Sequence, residues 1–374
     1  MKENTLDLQA GKPVHGKDLI GREKEIRELI YLLKGGQSIV LIAPRRFGKT
    51  SLIMEVMNRM KKEGIFTCYV DIFSTPDIRL FAERLIENLL GNKKMATVFR
   101  RFKTNMVELL KNFQLKHEFD GAEFILGFAQ KDKDPFELLG ESIDFIEHFG
   151  KRNNKKVVCG LDEFGDISKL DGQEIIKMLR SKIQLQKSTS YIFSGSYEAV
   201  MSKLFISRKS PFYRFARIYN LGFIDLHEFS KYIKSRLKKF KIDPADDYVD
   251  GILKTTKGHP YYTQLFIQEI IVQQYLSEQE ELPEVSEIVS RVLNIEKNYL
   301  EKSWEEISSK REEKIILMEI ASGTKKLFGS SLTHQINVSR ALSTLRGKGI
   351  LLKESSKYIF SDPLLEIWIQ NNVL

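Results

Sequence analysis

Five short apolar runs recur along the first 225 residues: SIVLIA (38–43), FTCYVDIF (66–73), VVCGLDEF (157–164), SYIFSGS (190–196) and ARIYNLGFI (216–224). Most are continuous rather than alternating in apolar residues, which is how strands buried on both faces of a parallel sheet read. Helical stretches separate them, among them SLIMEVMNRMKKEG after the first run. Before the first run, REKEIRELIYLLKGG places Ile26, Leu29, Ile30 and Leu33 on one helical face and stops at two glycines. This βαβ order predicts a three-layer α/β domain over residues 1–225. Residues 79–153, between the second and third runs, read as a helical insertion on that core.

From about Leu226 the pattern turns helical, with LHEFSKYIKSRLKKF, PADDYVDGILKTTKG and YYTQLFIQEIIVQQYL in succession. Residues 226–300 are therefore expected to form a helical lid beside the sheet. The last part, 301–374, changes again: REEKIILMEIASG, SSLTHQINV and SRALSTLRGKG read as three helices, and ILLKESSKYIFSDP as two strands around a Ser-Ser turn. Three helices and a hairpin in that order predict a winged helix-turn-helix domain.

A length of 374 residues fits two or three domains. The net charge of +9 favours polyanionic partners such as nucleotides or nucleic acid. Cys68 and Cys159, the two cysteines, lie far apart inside strand-like runs, which gives neither a disulfide framework nor a metal-ligand spacing. The amino-terminal stretch lacks the apolar core of a signal peptide and no run reaches the length of a membrane span, so a cytoplasmic protein is expected.

Chemistry enters at the first strand, where IVLIAPRRFGKTSLI (39–53) resembles a phosphate-binding loop whose first glycine is replaced by Ala43. A strand running into a helix lets the first helical turn offer free N–H groups to phosphate oxygens. Gly48 allows close approach, Lys49 would contact the β and γ phosphates, and the Thr50 hydroxyl would ligate magnesium. Ala43, Pro44, Arg45, Arg46, Phe47 and Ser51 complete the loop. At the end of VVCGLDEF, Asp162 is placed to hold magnesium and Glu163 to orient and deprotonate the attacking water. Two strand-end carboxylates as solvated caps are the bland alternative; their pairing with the loop favours the chemical one. At the end of SYIFSGS, Ser194 or Ser196 is a candidate γ-phosphate sensor, set against a simple Ser-Gly-Ser turn.

Further motifs carry a family resemblance. LIGREKE (19–25) and KGHPYY (257–262) are similar to the motif before the phosphate loop and the Gly-x-Pro motif of the STAND class of AAA+-related ATPases. APRRFGKTSL, LDEF, SGS, SPFYRFARI, GHPYY and YIFSDPLLEIWI together resemble the archaeal ATPase family, whose members carry a carboxyl-terminal winged helix. The resemblance runs from Ile20 to Ile369. It implies an ATP-binding sheet of order 5-1-4-3-2, adenine near Gly21, Arg22 and Pro260, and nucleotide-gated movement of the helical and winged parts. Ala43 departs from the family's usual glycine.

Among the arginines, Arg45 and Arg46 are candidates for nucleotide contact or for pairing with acidic neighbours. Arg214 and Arg217, before the last strand, are candidates to reach the γ-phosphate of their own or a neighbouring subunit, or else are solvated. Residues 324–358 hold seven basic side chains against one acid, Glu354. That face suits DNA, with the helix around Ser339–Arg346 in the major groove, or serves for protein docking or as an intramolecular latch. His259 beside Pro260 reads as structural. The sequence thus predicts an ATP- and Mg2+-dependent hydrolytic switch, in which an ATP-driven homo-oligomer, DNA or a protein partner is a candidate for the output. A non-hydrolysing, nucleotide-gated DNA-binding regulator or scaffold is the rival, and a DNA-translocating motor ranks last.

Overall fold

The structure, a computed structural model, describes residues 10–14, 16–90, 134–277, 281–324, 327, 336–354 and 357–374. The chain begins with helix α1 (Glu23–Lys34), strand β1 (Ile39–Ile42), α2 (Lys49–Lys62) and β2 (Phe66–Asp71). Two further helices, α3 (Ile78–Leu90) and α4 (Pro135–Arg152), lead to β3 (Val157–Asp162). Then follow α5 (Ser168–Ile183), which is broken at Gly172, β4 (Thr189–Gly195), α6 (Glu198–Phe205) and β5 (Arg217–Asn220). The five strands are parallel in the order β2-β3-β4-β1-β5, the order expected.

Strand alternation divides the apolar side chains between two layers. Ile39 and Leu41 face α1 and α2, together with Val158 and Ile192. Val40, Ile42, Cys159, Leu161, Tyr191 and Phe193 face the layer of α3, α4, α5 and α6. The supposed insertion is thereby corrected at both ends: Phe81, Leu85, Leu139 and Ile143 of α3 and α4 are fully buried against β2 and β3, as layer helices must be. Residues 91–133 lie outside the described ones. The register sets Cys68 directly beside Cys159, and both are buried free thiols.

Beyond the sheet come α7 (Leu226–Lys238), α8 (Asp246–Thr256), α9 (Pro260–Leu276), α10 (Val285–Ile295), α11 (Lys297–Ser308), α12 (Arg311–Ala321) and α13 (Val338–Gly347). The antiparallel pair β6 (Leu351–Glu354) and β7 (Lys357–Phe360) and the last helix α14 (Pro363–Asn372) close the chain. Of the stretch SSLTHQINV expected to form a helix or turn, residues 330–335 lie outside the described ones and Asn337 caps α13 at Val338; the Ser-Ser turn of the hairpin also lies outside the described residues. One apolar core unites α7 through α14, from Phe229 to Ile369, and the expected limit at residue 300 falls within α11. Among the described residues, no helix is long and apolar enough to cross a membrane.

Candidate active site

The carboxyl ends of β1, β3 and β4 meet at the start of α2, because parallel strands direct all their following loops to one edge. Gly48 caps α2 with φ 84°, a conformation glycine takes without cost, and Arg46 also turns left-handed at φ 66°. Ala43 is not among the positive-φ residues, so a Cβ there meets no backbone penalty. Its carbonyl and that of Pro44 accept hydrogen bonds from the Lys49 ammonium at 2.9 and 3.1 Å. Lys49 also donates to Ser196 Oγ at 2.8 Å. Burial pulls its pKa below the ordinary lysine value, against the opposing pull of Glu163 and Asp162.

Asp162 ends β3 as a shared acceptor. Its Oδ2 takes the Thr50 hydroxyl at 2.6 Å and the Tyr69 phenol at 2.9 Å, while Oδ1 takes the Ser194 hydroxyl and the Glu163 N–H. Tyr69 reaches across because Gly160 lies opposite it in β3; a Cβ there would sit 2.9 Å from Met57 Sδ and 3.4 Å from the Tyr69 ring. Glu163 follows at φ 48°, a left-handed placement that costs a non-glycine residue about 1–2 kcal/mol. Its carboxylate receives Ser196 Oγ at 2.6 Å and Ser196 N–H at 3.2 Å.

These groups border a cavity of about 540 Å3, lined by Arg45, Arg46, Gly48, Lys49, Thr50, Ser51, Glu163 and Ser196. The opposite wall comes from Pro260, Tyr261 and Gln264 of α9, and from Gly11 to Val14 at the amino terminus. That amino-terminal segment is pinned along α2, Val14 N–H donating to Ser51 Oγ at 3.0 Å and Gly16 N–H to Glu55 at 3.1 Å. Lys12, Pro13, Val14, Tyr261 and Gln264 escape motif reading; the Gly-x-Pro stretch was the available signal for the α9 pair. The oxygen donors Thr50 and Asp162 suit a small hard cation, and among the described residues no cluster of three or more carboxylate, His or Cys groups exists to cage one. A magnesium ion here would share its shell with substrate phosphates and water.

Other expected site residues have different surroundings. Ser194 is fully buried on Asp162 and supports that carboxylate, whereas Ser196 lines the cavity. Arg22 is buried, donating to the Gly222 carbonyl at 2.7 Å and to Glu25 at 3.0 Å. Gly21 (φ 61°) packs so closely that a Cβ would lie 2.2 Å from Ile224 Cγ2; it lines a second cleft rather than the phosphate cavity. Gly21 and Arg22, expected near the adenine, thus pack as a joint between α1 and the linker after β5. Phe47 is buried against Phe223 and His259, ring centroids 5.0 and 4.9 Å apart. His259 caps α9 through the Tyr262 N–H, and burial followed by the nearby Arg46 charge pushes its pKa down to about 3.

Arg217 opens β5 opposite Ile39, the amino end of β1, whereas the phosphate loop leaves from the carboxyl end. It pairs with Glu28 at 3.1 Å and is exposed. Exposed Arg214, in the loop between α6 and β5, lies at the same amino edge with its guanidinium over Tyr213. Neither lines the phosphate cavity of its own chain.

A glycine-capped phosphate loop feeding a parallel five-stranded sheet, with strand-end carboxylates beside it, defines the class of P-loop NTPases. Residues 19–266 match the family described as an ATPase domain predominantly from Archaea, and the chain belongs to that family of ATPases. Comparison with curated proteins finds no match. Among solved structures, the Walker-type ATPase of Pyrococcus abyssi is similar in fold, with TM-score 0.69, 17% identity and coverage of 95% of this chain and 97% of that one. The ORC2 protein of Aeropyrum pernix in its ADP form gives TM-score 0.55 and 14% identity, covering 96% and 95%.

Proposed function

We propose that this ATPase is a nucleotide-operated switch, binding ATP with magnesium in the 540 Å3 cavity and hydrolysing it to release a closed arrangement of its two halves. The supporting observation is one hydrogen-bonded set: Lys49 and Glu163 meet on Ser196, beside the Thr50–Asp162 pair. In this reading ATP displaces Lys49 from the Ala43 and Pro44 carbonyls onto the β and γ phosphates, and the free N–H groups at the start of α2 hold phosphate oxygens. Thr50 and Asp162 would hold a magnesium ion, which would supply positive charge against that growing on those oxygens. Glu163 takes the proton of a water as its oxygen attacks the γ phosphorus and the bond to the β-bridging oxygen breaks. Ser196, bonded to both Lys49 and Glu163, links γ-phosphate occupancy to the base; Pro260 and the amino-terminal segment serve as the base-binding wall.

The decisive experiment compares ATP affinity and turnover in the unmodified protein and Glu163→Gln. The variant is expected to keep affinity within about threefold while kcat falls by about 10²–10³. Turnover at the unmodified rate would remove Glu163 from the role of base.

The rival reading, a nucleotide-gated DNA-binding regulator in the cytoplasm, draws on α13 and the hairpin as a winged helix. Ser339, Arg340 and Ser343 are exposed along α13, while Arg346 is bound to Glu198 of α6 at 2.8 Å. Duplex DNA binding that weakens steeply with salt and stimulates or replaces turnover would favour it. Salt-independent binding or none would shift that region to docking a protein, or to a latch within the chain.

A further inference from the structure

Arg46 belongs to the phosphate loop by sequence, but its guanidinium is held by the other half of the molecule. It lies 4.1 Å from the Tyr261 ring centroid and 4.7 Å from that of Tyr299, and bonds Glu296 Oε2 at 3.0 Å. Glu296 sits at the junction of α10 and α11, nine-tenths buried, and its other oxygen accepts the Tyr261 hydroxyl at 2.6 Å. Two aromatic faces with a buried carboxylate form a cage matched to a planar cation. The adjoining Tyr262 carries the contact onward by donating to Asp362, the cap of α14, at 2.7 Å. The backbone at Arg46 is left-handed, a conformation that an arginine holds only where its surroundings fix it.

We infer that Glu296, Tyr261 and Tyr299 are positioning residues for nucleotide binding: by gripping Arg46 they hold the phosphate loop in the shape that presents its N–H groups to phosphate. Arg46 then acts as a tether and not as a phosphate ligand. The inference rests on the cavity being the nucleotide site. Its consequence is that the helical half contributes to ATP affinity through the loop, at a point where the linked sites are 250 residues apart in sequence.

The two roles for Arg46 predict opposite signs. If Arg46 contacts phosphate, Glu296→Gln frees it and tightens ATP binding or leaves it unchanged. If Arg46 is a tether, Glu296→Gln and Arg46→Ala each weaken ATP and ADP binding by about tenfold, and the double variant is no weaker than Arg46→Ala. Tyr299→Leu should weaken binding by about threefold, and Tyr299→Phe, which keeps the ring face, should restore it. Nucleotide affinity is measured by calorimetry on the full chain, with kcat alongside; a tether raises KM and leaves kcat within about twofold. Unchanged or tighter binding in Glu296→Gln overturns the inference, as do additive losses in the double variant. Lys49→Ala separates the two levels: if it retains binding, the site assignment has failed, whereas if it abolishes binding while Glu296→Gln does not weaken it, only the tether has failed.

Discussion

The two walls of the phosphate cavity are built in different ways. The α/β wall consists of short contiguous stretches, each a strand end and the residues just after it, and its polar groups bond one another: Thr50 to Asp162, Lys49 and Glu163 to Ser196. The helical wall presents Pro260, Tyr261 and Gln264 of α9, and behind it Glu296 and Tyr299 join Tyr261 around Arg46 because α9, α10 and α11 fold on one apolar core. In the proposed reading the first wall carries the chemistry, and the second, through the residues behind it, holds the loop by aromatic faces and one carboxylate. Losses on the first wall should therefore fall on binding and turnover, and losses on the second on affinity and stability.

The sharpest break of this contrast is Lys49→Ala. It removes the one buried ammonium bonded to the loop carbonyls and to Ser196, and with it an attractive charge on Glu163. ATP affinity is expected to fall by about 10³, equivalent to about 4 kcal/mol, measured by calorimetry, with little change in the melting temperature. A variant that unfolds more readily but still binds ATP would make Lys49 part of the framework instead.

Gly21 lies at the joint of the two halves. Gly21→Ala forces a Cβ to 2.2 Å from Ile224 Cγ2 at a backbone angle of 61°. The expected cost is about 2–3 kcal/mol, read as a fall of several degrees in melting temperature. Ile224→Ala, added to it, should recover part of that loss, because the clash is with that side chain. If the single variant melts at the unmodified temperature, the joint is looser than its geometry indicates.

The contrast also explains what was legible from the amino acids. A continuous apolar strand followed by APRRFGKT or LDEF names its own location, since backbone connectivity places the motif at the sheet edge. The five strands and the Lys49–Thr50–Asp162–Glu163 set were therefore readable. Glu296 and Tyr299 carry no local pattern, being ordinary residues near a helix junction, and their role depends on three helices meeting. Arg22 and Gly21 were placed at the adenine by resemblance, whereas their hydrogen bonds and packing tie α1 to Gly222 and Ile224. The place of Arg217 needed the register, because a residue that opens a strand lies at the edge opposite the loops that follow strands.

On the helical wall, His259 offers a test by pH. Its ordinary pKa near 6.5 drops to about 3 in the fold, where burial comes first and the Arg46 charge second as causes. The folded state refuses a proton that the unfolded chain accepts, so stability is full above pH 6.5 and declines as pH falls toward 3. The slope is about 1.4 kcal/mol per pH unit, or about 2 kcal/mol between pH 6.5 and 5. His259→Asn keeps a side-chain acceptor for the Tyr262 N–H but cannot be protonated, so its denaturant midpoint should vary less over that range. Equal slopes for the two proteins would mean that the acid sensitivity arises elsewhere.

The smallest effect is expected at the amino edge of the sheet, which belongs to neither wall. β5 rises about 10 Å from Arg217 to Asn220, and Asn220 is the residue level with the end of β1. A guanidinium paired with Glu28 at the far end of that strand is directed away from the loop. Arg217→Ala should thus change turnover by less than twofold and stability by less than about 0.5 kcal/mol, as for an exposed ion pair. Arg214→Ala should behave alike, because its side chain is exposed at the same edge. A hundredfold fall in kcat in either variant would be incompatible with catalysis within a single chain. If that fall appeared only at protein concentrations where the molar mass rises with ATP, the arginine would be acting on the phosphate of a neighbouring copy, and the amino edge would be a third wall supplied in trans.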